Sequence, residues 1–302
     1  MAFPDPAAPA RIHVRLDRMA DRMRDVTIVG AGDLGGALAQ TLARLDVVSA
    51  IHLVDERGGV AAGKALDITQ AAAVEGFCTR VTGSADLAST AFADLVVLAD
   101  RAGVGEWCGE DARVLLDRMA RATMDRIIVC AGASQRDIIE YGVRGGRLPR
   151  RSLMGSAPEA LSAAGRALVA LATDGSPADV ALAVLGVPPA DIVVPWEDAS
   201  VRGVAVTRLL DAATQRLVAA RLAAMWPPGP LALAAAAAKV VTAIVGRSRR
   251  VPICFVGPDD QHGQRARTCA LPVRLGATGI VAVELPALTV HDQVALDNAM
   301  LL

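Results

Sequence analysis

The chain has 302 residues, 53% of them hydrophobic and 21% charged, with a formal net charge of −1. That is enough for one large domain or two ordinary ones around a sizeable core, and it excludes global disorder. There is no basic excess, so nothing favours nucleic acid as the main partner.

Residues 1–24 carry Pro4, Pro6 and Pro9, then Arg11, Arg15, Arg18, Arg22 and Arg24. They contain no apolar core of a secretory signal, and Asp5, Asp17 and Asp21 argue against a transit peptide. A solvated N-terminal tail with a short helix is the expectation. Val26–Gln40 then reads as a buried strand, a tight glycine turn and the first turns of a helix. Gly30, Gly32 and Gly35 have the G-x-G-x-x-G spacing of a dinucleotide site. Gly30 allows the sharp turn, Gly32 lets a pyrophosphate approach the backbone, and Gly35 lets the helix pack closely on the strand. The helix N-terminus, opening at Asp33 and Leu34, offers free N–H groups and a positive dipole end to phosphates. Asp33 puts an anion in that turn, and its position relative to a diphosphate decides whether it repels.

The next strand, Ala50–Asp55, ends in an acid twenty residues beyond Gly35. A carboxylate there holds a ribose 2′-hydroxyl and favours NAD over NADP. Helical spacing follows over Gly58–Ala73, then a short strand at Arg80–Gly83. Asp94–Ala99 is a continuous apolar run, as in a parallel strand covered on both faces. Ala99 and Arg101 lie at the end of that run, where ligands of such sheets bind, and they complete the candidate cofactor-binding set. Gly109–Ala122 reads as a helix, Arg126–Ala131 as a buried strand and Gln135–Tyr141 as a helix. Strands alternating with helices imply a doubly wound parallel sheet of Rossmann type.

Gly142–Arg151 is polar, glycine-rich and basic, and the domain boundary is placed there, with residues 25–148 before it and 149–302 after it. Beyond it, helices are expected at Ala157–Thr173, Thr207–Met225, Leu231–Gly246 and His291–Met300. Strands are expected at Asp179–Gly186, Asp191–Pro195, Val251–Val256, Arg267–Leu275 and Gly279–Glu284. This order suggests an antiparallel sheet flanked by helices, an α/β (α+β) second domain. Leu231–Val245 is apolar but too short to span a bilayer and contains Lys239, so it reads as a buried helix and no membrane is implied.

Five cysteines, Cys78, Cys108, Cys130, Cys254 and Cys269, include no C-x-x-C pair and read as reduced, mostly buried thiols of a cytoplasmic protein. No histidine and cysteine stand at metal-ligand spacing, so no metal site is expected. His262 sits beside Asp259 and Asp260 in a polar stretch and reads as a loop histidine.

With these residues in view, the chain resembles the lactate/malate dehydrogenase family, its malate branch more closely. The resemblance runs from about Asp25 to the C-terminus. It rests on Val26–Gly35, Ile51–Asp55, Gly63-Lys64-Ala65-Leu66-Asp67, Val81-Thr82-Gly83 and Leu271–Gly279. It implies a Rossmann domain, a second α/β domain, NAD and a homo-oligomer. It also implies four catalytic features: a proton-transferring histidine, an aspartate that orients it, an arginine that grips the substrate carboxylate, and a mobile loop carrying another arginine.

Against that pattern the histidine's turn reads Gly186-Val-Pro-Pro-Ala-Asp191. Leu161 stands at the aspartate's place and Ala164 at the arginine's, leaving only the later Arg166. The mobile loop reads Ala102–Asp111 with no basic residue, and Ala131-Gly132-Ala133 lacks the family's asparagine. The expectation is a malate dehydrogenase-like pseudoenzyme that keeps the scaffold and an NAD site and acts as a structural or regulatory subunit with a protein partner. The alternative is a divergent NAD-dependent 2-hydroxyacid dehydrogenase with a rebuilt site.

Overall fold

The computed structural model describes residues 25–88, 93, 95–122, 126–259 and 267–301. The expected N-terminal tail and His262 lie outside these residues. In chain order β1 (Asp25–Val29), α1 (Asp33–Leu45), β2 (Ala50–Val54), α2 (Gly58–Glu75), β3 (Arg80–Ser84) and β4 (Leu95–Leu98) alternate. A hairpin of β5 (Asp100–Arg101) and β6 (Gly105–Glu106) follows, then α3 (Gly109–Ala122), β7 (Ile127–Cys130) and α4 (Arg136–Arg144). The remainder comprises β8 (Leu153–Gly155), α5 (Ala157–Ala172), β9 (Val180–Ala181), β10 (Leu185–Val187), β11 (Asp191–Val193), β12 (Ser200–Val201) and β13 (Val204–Ala205). After these come α6 (Val206–Leu209), α7 (Ala212–Ala224), α8 (Pro230–Ile244), β14 (Ile253–Val256), β15 (Cys269–Gly276), β16 (Gly279–Val283) and α9 (Val290–Leu301).

One sheet runs through the molecule in the order β3–β2–β1–β4–β7–β8–β14–β15–β10–β11. From β3 to β8 every pair is parallel; from β8 to β14 and beyond every pair is antiparallel. The parallel half is the doubly wound arrangement, and its strand order reverses between β1 and β4. The apolar run of β4 is wholly buried, as are the strands β7 and β14, because helices cover both faces. Register aligns the carboxyl ends: Val29 pairs with Val54 and with Leu98, and Leu98 pairs with Cys130. The residues that follow, Gly30, Asp55, Ala99 and Ala131, therefore emerge side by side at one edge.

Two expected elements divide. The strand expected over Asp179–Gly186 becomes β9 and β10, which belong to different sheets. Its apolar run serves two cores, with Val180 and Leu182 in the smaller cluster and Leu185 in the main one. The helix expected over Thr207–Met225 breaks at Leu210, which is extended, and restarts where the Asp211 carboxylate accepts from the Thr214 N–H. A side-chain cap of that kind outweighs the helical periodicity on either side.

α5, α8 and β14 are tied by one buried acid. Glu159, 2% exposed, accepts from Arg166 Nη2 at 2.7 Å and Lys239 Nζ at 2.5 Å, and its other oxygen accepts from the Ile253 N–H at 2.9 Å. Removing one member of such a group strands the other charges in a low dielectric. Glu159→Ala is expected to lower stability by about 3–5 kcal/mol, measured by urea unfolding, with Glu159→Gln falling between it and the parent. An Ala variant within the error of the parent would refute this role.

Candidate functional site: the carboxyl edge of the parallel sheet

The glycine turn has the geometry its spacing requires. Gly30, at φ +116°, donates its N–H to Val54 O at 2.7 Å, which aligns the ends of β1 and β2. A Cβ at Gly35 would collide with Gly30 O, so only glycine lets α1 start this close to β1. Leu34, in the first turn of α1, is buried at 2% exposure. Lys64 Nζ donates to Gly32 O at 2.6 Å and braces the turn from α2.

The anion in the turn is Asp100. The Leu34 N–H donates to Asp100 Oδ2 at 3.2 Å and the Gly35 N–H to Asp100 Oδ1 at 2.8 Å. The Gly32 N–H donates to the Asp100 carbonyl at 2.8 Å. The space left by the absent Cβ of Gly32 is filled by the same carboxylate. Asp33, whose side chain is 91% exposed, points to solvent and makes only a 3.9 Å ion pair with Lys64. The concern raised by Asp33 thus belongs to a residue distant in sequence.

Asp55 is 2% exposed at the end of β2. Oδ2 accepts from the Ala31 N–H at 2.8 Å and the Ala102 N–H at 2.9 Å, and Oδ1 accepts from the Arg57 N–H at 2.9 Å. Burial acts to raise its pKa, but these three N–H groups and the Arg57 charge more than offset it, so the carboxyl is held below the ordinary carboxylate range. Ala99 is buried; its carbonyl accepts from Gln135 Nε2 at 3.0 Å and its N–H donates to Val29 O. Arg101 turns away from the glycine turn: it bridges Asp111 at 2.9 Å and lies over the Trp107 ring, 4.6 Å from the centroid.

Ala102–Asp111, expected as a mobile loop, begins inside a folded hairpin. Asp100 pairs with Glu106 and Arg101 with Gly105, while Gly103 and Gly105 take positive φ. Glu106 spans the turn after β7, where Oε1 accepts from the Ala133 N–H at 3.0 Å and Oε2 from the Ser134 N–H at 2.7 Å. Trp107 is buried between these ends, and its Nε1 donates to Val29 O at 3.2 Å. Asp100, Glu106 and Trp107 escaped the sequence reading. The available signal was two acids set about a Gly-x-Gly turn, directly after a buried strand. As arranged, the residues of the turn do not fit a dinucleotide, because the N–H groups that would meet a diphosphate are bonded to a carboxylate of the same chain.

At the other end, Leu161 is fully buried in an apolar cluster with Val184, Val194 and Leu222, and Ala164 packs against it. Arg166 is engaged by Glu159. Pro188 and Pro189 form the turn between β10 and β11. His52 Nδ1 meets Thr82 Oγ1 at 2.8 Å on an exposed face of the sheet, between paired positions of β2 and β3. Cys130, Cys254 and Cys269 are buried free thiols, and burial, then the Glu106 charge, pushes Cys130 up to about 12. Cys78 and Cys108 are exposed. Among the described residues no group of three potential metal ligands occurs, and no helix is long and apolar enough to cross a membrane.

This is an α/β scaffold of the dehydrogenase type, with a doubly wound half and an antiparallel half. No family model matches the chain. Individual proteins do. It is 30% identical to malate dehydrogenase of Nostoc punctiforme over 280 residues, 85% of this chain and 84% of that one. The structure of malate dehydrogenase from Salinibacter ruber superposes with a TM-score of 0.79 at 26% identity, covering 91% and 93% of the two chains. The lactate dehydrogenase of Cryptosporidium parvum, in a structure complexed with lactic acid and nicotinamide adenine dinucleotide, shares the fold with a TM-score of 0.78 at 21% identity over 92% and 95%. The chain belongs to the lactate/malate dehydrogenase family, as its sequence motifs imply.

Asp55 carries a pH prediction. Its folded pKa lies below its unfolded value of about 3.9, so its stabilisation is complete above that value and is lost as pH falls through the folded pKa. Asp55→Ala should cost at least about 2 kcal/mol at neutral pH, since it leaves the buried Ala31 and Ala102 N–H groups without an acceptor, at about 1–3 kcal/mol each. The variant's stability should then fall less steeply below about pH 4 than the parent's. Urea unfolding at both pH values checks this, and parallel pH profiles for parent and variant would refute it.

Proposed function

We propose that this chain is a malate dehydrogenase-fold protein without hydride-transfer activity, acting as a structural or regulatory subunit. The observation that carries the reading is the apolar burial of Leu161 beside Ala164, together with a turn between β10 and β11 that reads Val187-Pro188-Pro189-Ala190. Reducing a 2-oxoacid requires a proton at the carbonyl oxygen as hydride arrives, and a positioned acid commonly contributes about 10²–10⁴-fold. Proline supplies no such acid. Leucine neither orients an imidazole nor stabilises its charge. The substrate carboxylate would have to be buried beside Ala164 without a cation, which is strongly unfavourable.

The alternative is hydride transfer between NAD and a 2-hydroxy acid, a reading supported by relatives named malate dehydrogenase. A panel of 2-oxoacids in an NADH-oxidation assay, freed of contaminating host dehydrogenase, separates the two. The expected result is no turnover above background. Turnover near about 10 s⁻¹, the ordinary enzyme range, would overturn the reading; its loss in His262→Ala would assign the acid to that residue.

A homo-oligomer in the cytoplasm completes the proposal. Large apolar side chains stand exposed on α2 at Leu66 and Val74, and in the second half at Leu171, Leu217 and Leu231. Three buried free thiols suit a reducing compartment. Light scattering is expected to give a multiple of the chain mass at micromolar concentration; a monomer would remove this part.

A further inference from the structure

We propose that the Asp100–Glu106 hairpin is a built-in ligand of the nucleotide cleft, which holds the cleft closed and admits NAD(H) only when the hairpin is withdrawn. This is independent of whether hydride transfer survives, because it concerns binding and not chemistry.

The hairpin meets each group with which the cleft would hold a dinucleotide. Its Asp100 carboxylate takes the N–H groups of Leu34 and Gly35, the donors at the positive end of α1. It also fills the space above Gly32 that a pyrophosphate would need. The Ala102 N–H takes Asp55 Oδ2, which also accepts from the Ala31 N–H, and so engages the acid that would hold a ribose hydroxyl. Glu106 takes the N–H groups of Ala133 and Ser134 beyond β7. The three contacts follow the carboxyl ends of β1, β2 and β7, the line along which ligands lie in such sheets.

The charge pattern of the hairpin makes sense only in this setting. Asp100 and Glu106 are directly opposed across two strands, so their side chains leave on the same side. Like charges in that arrangement repel and destabilise a hairpin. Here each carboxylate has its own pair of main-chain N–H donors, and such charge-assisted bonds are about twice as strong as neutral ones. The cleft therefore stabilises the hairpin, and the hairpin satisfies the cleft. Buried Trp107, held by Val29 O, and the Arg101–Asp111 bridge lock the hairpin from behind. A diphosphate and the Asp100 carboxylate cannot share the same two N–H groups, so the two states exclude each other.

When the competent state is a minor fraction of the population, apparent affinity falls by that fraction, so a cleft open about one-tenth of the time binds about tenfold more weakly. The test is NADH fluorescence titration of the full chain as parent, as Asp100→Asn, and as Asp100→Gly with Glu106→Gln. The parent should show weak or no saturation. Asp100→Asn, equal in size but uncharged, should bind at least about tenfold more tightly, and the double variant more tightly still. NADPH should gain by the same factor, because withdrawing the hairpin changes only the open fraction, while Asp55 keeps NADPH weaker than NADH in every variant. Circular dichroism establishes that each variant is folded; if the double variant is not, Asp100→Asn decides. The proposal fails if the parent binds NADH as tightly as Asp100→Asn. It also fails if folded Asp100→Asn binds no better than the parent.

Discussion

The parallel half of this structure depends on where the free N–H groups at the start of α1 find an acceptor. A helix entered through a glycine turn leaves its first amides unpaired and concentrates positive potential there. Gly32 supplies no side chain to cap them. In this chain the acceptor is the Asp100 carboxylate, delivered from the end of the neighbouring strand β4. That one interaction fixes the path of the chain after β4 and brings Ala102 onto Asp55.

Asp55 and Asp100 show how the same residue type plays two parts in one cleft. Asp55 is nearly sealed from solvent and serves as a hub for three main-chain amides contributed by the turn after β1, its own loop and the hairpin. Asp100 caps a helix. Main-chain amides carry both, as they carry Glu106, with the Arg57 charge adding to them at Asp55. Fixed dipoles of this kind are preorganised by the sheet, so little reorganisation accompanies the stabilisation they give.

The antiparallel half is organised differently. There an apolar cluster around Leu161 and Val184 meets the buried Glu159 group, which takes up Arg166 and Lys239. The arginine on α5 is thus directed to a structural acid. Together with the hairpin, this places the polar chemistry of the molecule in ties between its own elements, which is the physical basis for proposing a scaffold rather than a catalyst.

Much of this was legible in the amino-acid order. The alternation of buried runs with helical spacing specified the parallel half, because strand and helix periods differ and each run is short enough to bound. The glycine spacing marked the β1–α1 turn, since positive φ at Gly30 and the close approach at Gly35 are demands that only glycine meets. The antiparallel character of the second half was also readable by position. Tertiary structure alone decided the rest. The division at Leu210 and the sharing of Val180–Val187 between two sheets depend on which core each residue reaches. Above all, Asp33 sits in the glycine turn by sequence, yet Asp100, sixty-five residues from Gly35, sits there in space. Parallel pairing of β1 with β4 brings their ends together, and no local pattern in the chain records that proximity.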